Sequence, residues 1–319
     1  MTSLWLAPLL ALAVCLLVLA GLMARAHRLP QDHPNERSLH QRPVPRVGGV
    51  GLAAGLGAAL AVAGTGDLAA LWLAAGLLAL MSWFDDLRGL PVALRLSAHV
   101  LAAGLLTLEM GLDGGTLALV CLLLVWSTNL YNFMDGTDGL AGGMALIGFS
   151  VLAWAAHLHG DVGLARACLA VALSALGFLA FNFPPARLFL GDSGAIPLGF
   201  LAAGLGLAGW REGAWPAAFP LLVFSPFLVD ASLTLLRRGL AGERLWRAHR
   251  DHYYQRLVRL GWSHRRLALA AYALMAAAGA SALALLAVPQ ADAWLLGAWA
   301  GLYLALALVI ELRWRRSEA

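Results

Sequence analysis

From Leu4 to Leu312 the chain is a succession of apolar runs interrupted only by short polar islands, and this pattern leaves few folds open. A helix needs roughly 17 to 25 predominantly apolar residues to cross the hydrocarbon core of a bilayer. Segments of that order can be laid end to end at 3–25, 47–64, 67–84, 92–110, 115–133, 139–157, 162–181, 194–209, 214–236, 267–288 and 293–312, some of them short or interrupted. Backbone groups in lipid must be satisfied within the structure, and these Leu- and Ala-rich runs lack the alternation of a barrel strand, so helices follow. With 61% hydrophobic residues, 13% charged residues and a mean hydropathy of +0.76, the chain is too apolar for a soluble domain. The expectation is an all-α polytopic membrane protein of about 10–11 transmembrane helices. It forms one transmembrane domain over 1–319, with cytoplasmic loops at 26–46 and 237–266 contributing to the site.

Arginine sets the expected orientation, because the chain contains no lysine. Arg25, Arg28, Arg37, Arg42 and Arg46 follow the first run, Arg88 and Arg95 follow the third, and nine arginines lie between Arg237 and Arg266. Arg313, Arg315 and Arg316 come near the end, whereas the opposite connections hold only Arg211 and, slightly inside a run, Arg166. By the positive-inside rule the N-terminus is outside and the C-terminus cytoplasmic, which agrees with an odd number of spans. The first run is too long for a signal peptide and its charges follow it, so an uncleaved anchor is expected. Cys15, Cys121 and Cys168 fall within runs without paired spacing and read as small core residues.

The polar islands all map to the arginine-rich side, so the chemistry is expected there. An ionised Asp at mid-bilayer costs roughly 2.5 to 3.5 kcal/mol even on lenient scales, which places Asp85 and Asp86, just before Arg88 and Pro91, at the water boundary. Taken alone, they would suit an ordinary solvated turn. Between Asn129 and Gly143, Asn129 and Asn132 share a helix face, Asp135 and Asp138 follow, and Gly136 and Gly139 permit a tight turn. Turn formation explains one Asp and one Gly, but the whole string reads as a polar ligand cradle. From Asn182 to Gly194, Ser193 is expected to cap the next helix, and Asp192 beside that helix start is the leading candidate for a Mg²⁺ ligand. On a helix, His249 and His252 would face the same way and could contact one sugar phosphate, with Arg250 or Arg256 pairing its charge. No third His or Cys is in register for zinc.

Taken in order, the segments Pro34–Gly49 (PNERSLHQRPVPRVGG), Asp85-Asp86, Asn129–Gly143, Asn182–Gly194 and the His249 loop resemble the polyprenyl-phosphate N-acetylhexosamine-1-phosphate transferases, which include the phospho-MurNAc-pentapeptide translocases. The resemblance implies transfer of a HexNAc 1-phosphate from a UDP-sugar to undecaprenyl phosphate with release of UMP, at the cytoplasmic face of the bacterial inner membrane. It implies Mg²⁺ or Mn²⁺, contact with membrane lipid, no nucleic acid, and leaves a homodimer open. By resemblance Asp192 and Asn132 are metal ligands, and Asp85, Asp86 and Asp135 are the catalytic carboxylates beside the phosphates. Asp138 contacts the nucleotide and Asn129 and Asn182 support the substrate. His249, Arg250 and His252 surround the sugar and pyrophosphate, and His40 belongs to the first-loop motif.

Two departures narrow the subfamily. The first loop has Arg37-Ser38 where many relatives carry a basic pair, and the His loop lacks a run of three histidines. The pattern Arg-Ser-x-His-x-x-Pro-x-Pro-Arg at 37–46 with His-Arg-x-His-x-Tyr-Gln at 249–255 looks most like O-antigen initiators. The competing class is a secondary transporter, which would hold its carboxylates near the bilayer midplane between repeated halves. The acidic residues here gather at helix ends, Asp230 excepted, and its nearness to Arg237 and Arg238 suggests an arginine partner.

Overall fold

A computed structural model describes residues 4–34, 39, 42–244 and 249–318. It is an all-α polytopic membrane protein built from α1 (Leu6–Met23), α2 (Gly48–Ala63), α3 (Ala69–Arg88), α4 (Val92–Glu109), α5 (Gly114–Phe133), α6 (Leu140–His159), α7 (Val162–Asn182), α8 (Asp192–Arg211), α9 (Ala218–Val223), α10 (Ser225–Leu240), α11 (Tyr253–Arg259), α12 (His264–Ala287) and α13 (Asp292–Glu318). Nine helices among the described residues are long and apolar enough to cross a membrane. Each of the eleven expected segments coincides with helix, with two qualifications. Helix α2 has only 16 residues. The segment expected at 214–236 is broken at Phe224 into α9 and α10, and Pro226 sits in the first turn of α10, where its missing N–H costs nothing.

Helices α6, α7 and α8 form the buried heart of the bundle, and α3 and α5 pack on α8 while α1 and α2 pack on α7. Small residues allow this closeness. A Cβ on Gly48 would lie 2.5 Å from the Phe178 ring, and one on Gly55 would lie 2.5 Å from the Ala11 carbonyl oxygen, as expected for helices that approach backbone to backbone. Cys15 and Cys168 are fully buried free thiols in the same core. Helix α13 lies at the periphery, with Leu302, Leu304 and Leu308 exposed along it.

The chain alternates direction, so the C-terminal ends of α3, α5, α7, α10 and α13 meet the N-terminal ends of α2, α4, α6, α8 and α12 at one end of the bundle. A short antiparallel pair, β1 (Gln31–Asp32) with β2 (Val44–Pro45), closes that end. Just after β2 the chain runs beside the segment that leads into α8: Phe189 N–H donates to the Pro45 carbonyl, and the Gly48 and Gly49 N–H groups donate to the Phe189 and Leu190 carbonyls, each at 2.8 Å. This splice places Arg46 beside the first turn of α8.

Candidate active site

The last turn of α3 carries Asp85 and Asp86, whose side chains are nearly buried. Asp86 acts as an N-cap from outside the helix: its carboxylate accepts from Asp192 N–H at 3.2 Å and Ser193 N–H at 3.0 Å. The free N–H groups and dipole at the start of α8 favour a negative charge in that position. Ser193 was the expected cap, but α8 already begins at Asp192, so Ser193 lies inside the first turn and its buried hydroxyl has no hydrogen-bond partner. Asp85 accepts from Leu90 N–H at 2.5 Å and pairs with Arg95 at 3.0 Å. Both carboxylates are therefore fixed in orientation.

Arg46 lies between Asp192, at 2.5 Å, and Asp86, at 3.1 Å, while Arg95 reaches the second Asp192 oxygen at 3.6 Å. Burial works against the Arg46 charge, but Asp192, Asp86, Asp32 and Asp135 outweigh it and hold its pKa above the usual value. Asp135, in the turn after α5, shares this electrostatic neighbourhood. Burial pushes its carboxyl well above the usual range, and Asp192, Asp86 and Asp32 add to the shift while Arg46 opposes it. Asp86, Asp192 and Asp135 thus gather around Arg46.

Two further constellations border this centre. Gly139, at φ +76°, turns the chain into α6, and its N–H donates to Asn182 Oδ1 at 2.8 Å while Asn182 Nδ2 donates to the Leu188 carbonyl at 2.9 Å. The buried amide of Asn182 thus ties the turn before α6 to the loop before α8. Asp138, inside the tied turn, pairs with His264 at 3.1 Å and accepts from Ala186 N–H at 3.0 Å. Beyond it, the His249 and His252 rings lie 4.9 Å apart, centroid to centroid. They do so without sharing a helix, contrary to expectation: His249 precedes α11, and His252 is the residue before its first turn. Burial, with His252 and Arg238 next, lowers the His249 pKa to about 4.

Asp230 differs from its expected role. Its two oxygens accept from Tyr253 and Tyr254 N–H groups at 2.9 Å each, and His252 lies 3.5 Å away, so it anchors the start of α11 and not an arginine. Arg237 goes to Glu311, and Arg238 to Asp251 and Glu243. Asn129 turns back to the Val125 carbonyl at 2.7 Å and to His99 at 3.3 Å, and Asn132 lies partly buried on the last turn of α5. Arg250 makes no ion pair among the described residues, although its carbonyl accepts from Arg259. His40 and the Arg37-Ser38 pair lie outside the described residues.

Sequence reasoning passed over Arg46, Arg95 and His264 as site residues. Arg46 closes the first-loop motif and so carried a signal, whereas the contacts of Arg95 with Asp192 and of His264 with Asp138 join distant segments. Among the described residues no three His, Cys, Asp or Glu converge as a metal cage. A hard divalent cation that keeps water and substrate phosphates needs only one or two protein carboxylates. Asp86 and Asp192, gathered with Asp135 around Arg46 and Arg95, offer oxygen donors of the kind such an ion takes.

A family model described as Glycosyl transferase family 4 matches residues 68–209, the stretch from α3 through α8. The chain is 29% identical, over 76% of its length and 73% of the relative, to a Bacillus subtilis protein named probable undecaprenyl-phosphate N-acetylglucosaminyl 1-phosphate transferase. It is 30% identical to the decaprenyl-phosphate N-acetylglucosaminephosphotransferase of Mycolicibacterium smegmatis, covering 75% of this chain and 71% of the relative. A phospho-N-acetylmuramoyl-pentapeptide-transferase of Staphylococcus saprophyticus is 30% identical over a shorter stretch, 48% of this chain and 47% of the relative.

Proposed function

The chain belongs to glycosyl transferase family 4, and we propose from that premise that it transfers a HexNAc 1-phosphate from a UDP-sugar to undecaprenyl phosphate, releasing UMP. The observation that carries the reading is the junction of Asp86 and Asp192, 106 residues apart, through the single guanidinium of Arg46 at the start of α8. The gathering of the carboxylates at helix ends disfavours the transporter alternative, which needs them between repeated halves at mid-bilayer.

In the reaction an oxygen of the lipid phosphate forms a bond to the β-phosphorus of the donor. The bond from that phosphorus to the bridging oxygen breaks, and UMP leaves with the electron pair. A phosphate monoester loses its second proton with a pKa near 6, so the nucleophile needs little activation at neutral pH and the main demand is charge neutralisation and alignment. Arg46 and Arg95 supply fixed positive charge. Asp85 and Asp86 hold these arginines and the α8 terminus in place, and one of the three catalytic carboxylates, Asp85, Asp86 or Asp135, takes the remaining proton of a lipid phosphate that arrives as the monoanion. Asp192 and Asn132 would hold Mg²⁺, which when bound screens the phosphoryl oxygens. Asp138, held by His264, faces the nucleotide, and His249, His252 and Arg250 face the sugar and pyrophosphate, with Asn129 and Asn182 in support.

By the positive-inside rule the arginine distribution supports a cytoplasmic site and an outside N-terminus, and the transfer reading goes with a bacterial inner membrane. The first-loop and His-loop patterns favour a lipid-linked surface polysaccharide of O-antigen type over peptidoglycan. The test is incubation of membranes containing the protein with undecaprenyl phosphate, Mg²⁺ and a panel of UDP-HexNAc donors. UMP release from at least one N-acetylated donor is expected, and release from none would overturn the reading.

A further inference from the structure

Helix α13 contributes little to the core of the bundle, yet its last turns carry a dense polar contact with the His-containing loop. Glu311 accepts from Arg237 at 3.1 Å, Arg256 at 2.5 Å and Arg315 at 2.9 Å. Arg237 also donates to the Asp251 carbonyl at 2.7 Å, and the guanidiniums of Arg256 and Arg259 lie over the Trp314 ring, 5.0 and 4.2 Å from its centre. Arg256 is buried, with 8% of its surface exposed. Glu311 is therefore the acid shared by an arginine of α10 and an arginine of α11, on either side of the segment that carries His249 and His252. At the other end of α11, Asp230 accepts its first two N–H groups. The short helix α11 is held from both sides, by α10 and by α13.

We infer that Glu311 is a positioning residue for the transfer reaction: it fixes α11, and through α11 the His249–His252 pair that receives the sugar pyrophosphate. The inference rests on the transfer reading for its consequence in catalysis, but the holding contact itself stands on geometry. Removing Glu311 leaves the partly desolvated charges of Arg237 and Arg256 facing each other, which frees α11 from α13. The cluster around Arg46 contacts neither Glu311 nor α13 and keeps its arrangement. The effect should therefore fall on the donor and spare the lipid acceptor.

The experiment uses the full chain in lipid nanodiscs, comparing wild type, Glu311→Ala and Glu311→Gln. Amide hydrogen exchange over 253–259 and steady-state kinetics with a UDP-HexNAc donor are measured side by side. Glu311→Ala should exchange faster across α11 and raise the donor KM about tenfold, with kcat and the KM for undecaprenyl phosphate within about twofold of wild type. Glu311→Gln, which keeps an acceptor oxygen for the arginines of α10 and α11, should fall between the two in both exchange and donor KM. Exchange in Glu311→Ala equal to wild type, or faster exchange with an unmoved donor KM, would overturn the inference. A wild-type protein that releases no UMP from any donor would count against the transfer reading and the catalytic consequence together, and the exchange data would still decide whether Glu311 holds the loop.

Discussion

The substitution Asn182→Leu probes how the site is assembled, because the replacement keeps a similar volume and removes both hydrogen-bonding ends of the side chain. The orientation of the amide is fixed by its partners, an N–H on one side and a carbonyl on the other. The apolar replacement would leave the Gly139 N–H and the Leu188 carbonyl unpaired in a buried setting, since Asn182 itself is only 4% exposed. Each orphaned group costs about 1–3 kcal/mol, so the variant should lose about 2–6 kcal/mol of stability. The same loss loosens the turn that carries Asp138 from the loop that leads to Asp192. Small misplacements of reacting groups are costly, and transfer activity should fall at least tenfold in protein that remains folded. Denaturant titration in mild detergent, paired with UMP release at a temperature well below unfolding, measures both. A variant as stable and as active as wild type would refute the view that this amide ties the two loops.

Gly143→Ala should be destabilising, because the added Cβ would meet Tyr272 Cε1 at 1.9 Å and must displace the ring whose hydroxyl donates to the Gly139 carbonyl. A loss of about 1–3 kcal/mol is expected, and combining it with Tyr272→Ala, which opens the space, should remove most of that penalty in the same unfolding assay. Stability should also depend on pH through His249, whose folded pKa of about 4 lies below its ordinary 6.5. The unfolded chain then binds more protons between these values, so stability falls as pH drops from about 6.5 towards 4, with about 2 kcal/mol lost by pH 5. His249→Gln should flatten this part of the profile, and an unchanged slope in that variant would remove His249 as its source.

Much of the architecture was legible because lipid imposes its own rule on the chain. Runs long enough to span must be helical, and the limits of α4, α6 and α7 agree with the sequence segments to within two residues. What could not be read were choices settled between segments far apart. Ser193 is a good local cap, but α8 starts before it, and Asp86, 107 residues from Ser193, meets the free N–H groups and dipole of the helix start. Asp230 had two arginines within reach on its own helix, and instead caps a helix that amphipathic periodicity over so few residues could not reveal. The break at Phe224 was hidden because the residues on both sides are equally apolar. For the site, the residue types at Asp85, Asp86, Asp192, Asp138 and Asn182 were visible, and Arg46 stood in the first-loop motif, while the pairing of Arg46 and Arg95 with Asp192 and of His264 with Asp138 became visible only once the helices were brought together.

The central claim is that the carboxylates gathered at the start of α8 handle the phosphates of a sugar nucleotide. It is tested most directly by measuring Mg²⁺-dependent UMP release in the wild type and in Asp192→Asn, alongside the thermal unfolding of each. The account predicts release by the wild type and a loss of at least about a hundredfold in Asp192→Asn at comparable thermal stability. Full activity in Asp192→Asn would contradict it.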